Sequence, residues 1–310
     1  MKKLLAILMF IASITNTYSQ DVKVNQGTLN LDGCFWALYK NIKDSVTINS
    51  FQRRNMFLGL TANLTKWSSL RIYADVGDNS GNPAYDLYAS IKPIPELTFV
   101  FGQFKLPLGI EVLTKPENLE LIEYSLIGRP SVRTLKGTRD IGIQTSYKNP
   151  FIEATAAVVN GEGRNILQDS DNNKNVAGRL IIKPLGKTMF NFGGNIYLGN
   201  YVSNNFSRMG LELNYTFSPV ILKSEMLLTK DGILKGNGYY LQIGYNWRWL
   251  QPMIRFSTYN KNQSPLNEYV IGLNFRPLKD NIKVMINYKN EKITSTIRQK
   301  GILAQLQLAF

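Results

Sequence analysis

From Met209 to the last residue the chain alternates between apolar and polar side chains at almost every step. Met209, Leu211, Leu213, Tyr215 and Phe217 alternate with Gly210, Glu212, Asn214 and Thr216. Tyr239, Leu241, Ile243, Tyr245 and Trp247 alternate with Tyr240, Gln242, Gly244, Asn246 and Arg248. The pattern returns at 269–276, at 282–289 and at the end, where Ile302, Ala304, Leu306, Leu308 and Phe310 share one side. Successive side chains of a strand point to opposite faces, so each run reads as a strand with one greasy and one polar face. No stretch after residue 20 offers the run of about 18 apolar residues that a membrane helix requires.

A soluble sandwich also buries one face of each sheet. Two features point to a barrel in a membrane instead. The polar partners are small or charged in strand after strand, and aromatic residues gather at the ends of the apolar runs: Tyr215, Phe217, Tyr245, Trp247, Tyr288 and Phe310. An outward apolar band edged by aromatic girdles around a wet lumen has this composition. The runs between residues 28 and 310 number sixteen, an even count in the range that leaves an aqueous channel. The expected fold is all-β, a transmembrane antiparallel β-barrel. Short turns at 148–150, 183–187 and 276–280 are expected on one rim, and longer gaps near 161–174 and 261–266 on the other. No linker divides residues 21–310, which read as one domain.

The N-terminus carries a separate signal. Lys2 and Lys3 precede an apolar stretch from Leu4 to Ile14, and Thr17 and Ser19 place small residues before a cut at Gln20. Residues 1–19 are expected to be a cleaved signal peptide and 20–310 the barrel. Their loss removes two lysines and no acid, taking the formal charge from +14 to +12. A basic excess suits nucleic acid, an anionic membrane surface or anionic solutes. After export nucleic acid drops out, and small anions and outer-membrane lipids remain as partners. The chain has no histidine, which excludes Ser-His-Asp and Cys-His catalysis, HExxH and His-containing zinc sites. Its single cysteine, Cys34, forms no internal disulfide and reads as a small strand residue. No cofactor is expected.

One connection is out of scale. Between the runs ending near Phe104 and starting near Thr138 lie about thirty residues without alternation, in which Lys105, Lys115, Arg129, Arg133 and Lys136 are set among Glu111, Glu117, Glu120 and Glu123. Ordered connections of this length are usually functional. Residues 105–137 are expected to fold into the lumen as a constriction loop. On either side of them stand Phe51-Gln52-Arg53-Arg54, the run from Gly102 to Glu111 (GQFKLPLGIE), Arg139-Asp140-Ile141-Gly142 and Val159-Asn160-Gly161-Glu162-Gly163. In this order the motifs resemble the phosphate-selective porin O and P family. The resemblance implies a sixteen-stranded outer-membrane porin, usually a homotrimer, whose members pass phosphate or polyphosphate through a basic constriction. It also implies a last strand read by the barrel-assembly machinery.

Strand register puts Arg53, Arg71, Arg179, Lys183, Lys223, Arg248, Arg255, Arg276 and Lys283 on the inner face, with Asp75, Asp86, Asp140, Glu153, Glu212 and Glu225. The pore-lining candidates are Arg53, Arg71, Lys105, Lys115, Arg129, Arg133, Arg179, Lys223 and Arg255. Of the neighbours Arg53 and Arg54 only one can face inward. Alternation assigns Arg53 and leaves Arg54 at the rim among head groups. Arg139-Asp140 reads as a rim or wall feature. Glu162 and the Asp169–Asp171 cluster read as solvated loop, because they lack a full calcium ligand set. The implied function is passive passage of small hydrophilic solutes, with anions favoured by Lys and Arg. The alternatives are a closed structural or adhesive barrel and a membrane-embedded hydrolase, which would need an Asp, Glu or Lys base.

Overall fold

In the computed structural model the alternating runs form one closed sheet. It describes residues 22–23, 27–44, 47–79, 81–186, 189–201, 204–278, 281–294 and 296–310, so the signal read at 1–19 lies outside the described residues. A two-residue strand β1 (Val22–Lys23) pairs with the start of β2 (Thr28–Lys43). The wall continues through β3 (Thr47–Thr65), β4 (Ser68–Asp75), β5 (Ala84–Ile94), β6 (Leu97–Lys105), β7 (Arg139–Lys148), β8 (Ile152–Val159) and β9 (Asn175–Ile182). Its second half is β10 (Phe190–Tyr201), β11 (Asn204–Phe217), β12 (Val220–Asp231), β13 (Leu234–Tyr245), β14 (Leu250–Lys261), β15 (Ser264–Phe275), β16 (Ile282–Ile293) and β17 (Thr296–Ala309).

Strands β2 to β17 each run antiparallel to their chain neighbours, and β17 returns to pair with β2, which closes a sixteen-stranded barrel. At that seam Leu306 stands opposite Ala37. Gly33 and Phe310 exchange backbone hydrogen bonds of 3.1 and 3.0 Å. The indole N–H of Trp36 donates to Gln307 across the inside of the joint at 2.9 Å. Among the described residues the ring from β2 to β17 is left without an open edge, as a sheet in hydrocarbon requires.

The rims differ. One carries only short turns and the chain terminus, whereas the other carries 76–83, 106–138 and 160–174, so the second is the external rim. In the second half of the barrel the described external connections at 232–233 and 262–263 shrink to two residues. The longer gap expected near 261–266 is therefore absent. Asn262 and Gln263 alone turn the chain, both with positive φ (52° and 65°), as tight two-residue hairpins require. The polar residues Asn260, Lys261 and Ser264 carry no alternation, yet they complete the backbone ladder.

Outward positions form the apolar belt; Leu211, midway along β11, is 64% exposed between Gly194 and Met226 of its neighbours. Leu211→Arg should destabilise the barrel by about 2–4 kcal/mol, measured by denaturant titration in lipid vesicles, because the guanidinium enters the hydrocarbon.

Candidate functional site

The wall releases the chain at Lys105, the last residue of β6, and takes it back at Arg139, the first of β7, directly opposite. Between them residues 106–138 turn inward because their apolar side chains meet apolar patches on the inner wall. Leu106 and Leu108 pack with Phe104, Val159, Ala177, Tyr197 and Phe206. Leu126 and Ile127 meet Leu227, Tyr240 and Tyr259, and Leu121 meets Met253 and Val270. Ile122 completes the circuit against Leu38, Ile42, Met285 and Leu303.

Charges fasten what the apolar contacts place. The insert contains two single-turn helices, α1 (Ile110–Leu113) and α2 (Pro130–Arg133). Gly109 precedes α1 at φ 75°, where a Cβ would stand 2.1 Å from Glu225 Oε2. Without one, the backbone N–H groups of Ile110 and Glu111 donate to Glu225 Oε1 at 3.0 and 3.1 Å. The other Glu225 oxygen accepts from Arg133 Nη2 at 2.6 Å, and the Tyr240 hydroxyl donates to Oε1 at 3.0 Å. Glu111 accepts from the Ser125 N–H at 3.0 Å and from Arg255 Nη1 at 3.1 Å, and Arg255 Nη2 donates to Glu268 at 3.0 Å. Arg129 bridges Glu268 and Glu291 at 2.9 and 2.6 Å. Lys289 holds Glu123 at 2.7 Å, and Lys283 donates to the carbonyls of Glu117 and Leu119 at 2.8 Å each.

This lattice corrects three pore candidates. Arg129, Arg133 and Arg255 are consumed as anchors between the insert and the wall, with Arg133 and Arg255 almost wholly buried. Arg53 is corrected for a different reason. A bulge in β3 sets Trp36 opposite Asn55 and Ala37 opposite Arg53, so Arg54 is the extra residue. Arg54 enters the lumen, where its Nη1 donates to the Ile122 carbonyl at 2.6 Å and to Gln305 at 2.7 Å. Arg53 is left exposed on the side of Ala37, donating to Asn79 at 2.7 Å. Arg248, also assigned inward, is an exposed residue of the 246–249 turn.

The remaining five candidates, Arg71, Lys105, Lys115, Arg179 and Lys223, line open space in the lumen. A cavity of about 670 Å³ is bordered by Asp32, Arg71, Tyr73, Lys115, Glu117 and Arg139, and one of about 330 Å³ by Lys148, Glu153 and Arg179. Asp86, Tyr88, Lys105 and Leu113 border both. A third, of about 390 Å³, reaches from Arg179 to Lys223. Arg71 forks onto Asp32, with one arm at 2.8 Å, and Arg139 Nε donates to Asp86 at 2.6 Å. Arg179 pairs with Glu212 at 2.7 Å, Lys148 with Glu153 at 2.9 Å, Lys115 with Glu117 at 3.7 Å, and Lys223 with Glu120. Lys105 differs: among the described residues its ammonium bonds only the Thr114 carbonyl, at 3.0 Å.

Sequence reasoning read Arg139 as a rim or wall feature without counting it among the pore-lining residues, and passed over Asp32 and Tyr88. The signal available for Arg139 was its register opposite Lys105, since residues facing each other across two strands share a side. Its neighbour Asp140 accepts from the N–H groups of Gly161 and Gly163 at 3.0 and 3.2 Å, and so holds the 160–174 connection rather than solute.

A closed sixteen-stranded wall with a connection folded into its lumen defines a porin. The fold matches that of DcaP, an outer-membrane channel of Acinetobacter baumannii, with a TM-score of 0.67 and 12% identity over 94% of this chain and 99% of that one. It matches an anion-selective porin from Comamonas acidovorans with a TM-score of 0.67 and 13% identity, over 92% of this chain and 100% of that one. The trimer form of OmpT of Vibrio cholerae matches with a TM-score of 0.64 and 9% identity, over 92% and 100%. No curated protein resembles the sequence closely enough to count as a relative. The family model of phosphate-selective porin O and P matches residues 26–206, and the chain belongs to that family of outer-membrane porins.

Glu225→Ala should cost about 3–5 kcal/mol in unfolding experiments, because it leaves Arg133 buried without a counter-charge. Glu123 supplies a pH-dependent anchor. Burial pushes its carboxyl up, but Lys289 beside it, helped by Lys40 and Arg54, holds it below the ordinary glutamate value of 4.5. A depressed carboxylate stabilises the fold above its unfolded value and loses that contribution as pH falls through the folded one. Glu123→Gln should therefore flatten the acid limb of thermal stability below about pH 4.5, as read by melting curves across pH.

Proposed function

We propose that the barrel passes small hydrophilic solutes by passive diffusion and prefers anions, phosphate among them. The single observation that carries this is Lys105. Its ammonium borders both the cavity of about 670 Å³ and that of about 330 Å³, opposite Arg139, and among the described residues no carboxylate lies within ion-pair distance of it. Four cations face three carboxylates around the larger cavity, a modest excess that lowers the barrier for anions. Arg139 and Lys105 can hold an oxyanion by charge-assisted hydrogen bonds, and passage needs that hold to be weak. No chemical step is required, so the reading is a channel rather than an enzyme, exported with loss of residues 1–19. A homotrimer is the proposed assembly, in line with the trimer form of the Vibrio cholerae neighbour.

The insert meets the inner wall on several sides, which favours a second reading of a closed barrel. Planar-bilayer recording separates the two. Wild-type protein should give single-channel steps and a reversal potential in asymmetric KCl that indicates chloride preference, and Lys105→Glu should move that potential toward the potassium side. Absence of steps would support closure, whereas cation preference in the wild type would sink the anion reading and leave a general porin.

A further inference from the structure

On the outer wall, at the external rim, Lys230 of β12 and Lys235 of β13 are directly opposite each other across the ladder. Both are exposed, and they continue the outward set of Met226, Leu228 and Tyr239, while Asp231 between them points inward to Arg208 and Lys261. Like charges facing each other across two strands destabilise a sheet. Among the described residues neither ammonium has a carboxylate within ion-pair distance. The inward Lys261 nearby, by contrast, reaches Asp231 at 3.0 Å. Beside the pair lies an open recess of about 510 Å³, which Met209 and Leu228 line with apolar surface and Ser207 and Asn237 with hydrogen-bonding groups. The connection between β12 and β13 above it, Gly232-Ile233, is only two residues long.

We propose that this recess binds the phosphorylated head group of an acylated lipid of the outer leaflet. The phosphate sits between the two ammonium groups and relieves their repulsion, and the acyl chains run down the belt past Met209 and Leu228. Placement favours a lipid over a free solute: the lysines top an apolar face, outside the lumen, at the rim end of the outward belt, the position from which cations snorkel to lipid phosphates. A basic patch facing nucleic acid or soluble anions would not need an apolar floor.

Native mass spectrometry of the full barrel in mild detergent, titrated with bisphosphorylated lipid A, tests the site. Lys230→Glu/Lys235→Glu should weaken the adduct at least about tenfold, at roughly 1 kcal/mol per lysine near a lipid surface. The same lipid stripped of its phosphates should bind the wild type similarly weakly, and Lys66→Glu on the opposite rim should change nothing. Heat-dependent gel mobility reports folding, and Lys230→Gln/Lys235→Gln repeats the test should the double glutamate variant fail to fold. Undiminished binding by the lysine variants, or equal binding of the dephosphorylated lipid, would overturn the proposal. So would displacement of the lipid by inorganic phosphate alone, which would make the site one for free anions. Loss of self-association without any change in lipid binding would assign the recess to a second copy of the chain and overturn it as well.

Discussion

Hydrocarbon offers no partner to a backbone N–H or C=O, and this one constraint governs the molecule. It forces the sheet to close, so the last strand must find the first, and the exchange between Gly33 and Phe310 carries the ladder to the final residue. Closure in turn fixes an inside and an outside. With sixteen strands the inside is too wide for side chains alone to fill, and residues 106–138 occupy much of that space.

Placing a charged segment inside a barrel costs desolvation, which pairing must offset. The insert answers with reciprocal placement. Glu225 of the wall accepts from the first N–H groups of α1 and pairs with the guanidinium of α2, while Arg255 of the wall pairs with Glu111 of the insert. Anchoring and lumen lining therefore draw on the same residue types and overlap in only a few individuals. Arg255 and Lys289 of β14 and β16 are committed to holding the insert, Arg71, Arg139 and Arg179 of β4, β7 and β9 face the open lumen, and Lys105 of β6 and Lys223 of β12 do both. The family's description speaks of phosphate; in this chain most of the described lumen cations already have a carboxylate, and the field available to a solute is what pairing leaves over.

Sixteen strands, the seam at Phe310 and the inward course of 106–138 were legible because lipid and water impose a two-residue rhythm wherever one face is apolar. The rhythm fails where its premise fails. A single extra residue in β3 exchanges the roles of Arg53 and Arg54, and nothing in the local sequence marks the bulge. Arg129, Arg133 and Arg255 look like pore residues because an inward arginine reads the same whether it meets water or a buried glutamate. Only the three-dimensional meeting with Glu268, Glu291, Glu225 and Glu111 separates the two cases. Polar hairpin ends such as Lys261 to Ser264 carry no rhythm at all, so they passed as loop.

Lys105 and Arg139 belong to the wall rather than to the insert, one closing β6 and the other opening β7. The insert leaves and re-enters between them. Relatives can therefore lengthen, shorten or rewrite the inserted segment without shifting the two cations that face each other at its base. The width of the lumen and the charge at the base of the insert become separately variable: the insert sets how much room the lumen keeps, and two fixed positions in the ladder carry the cations beside it.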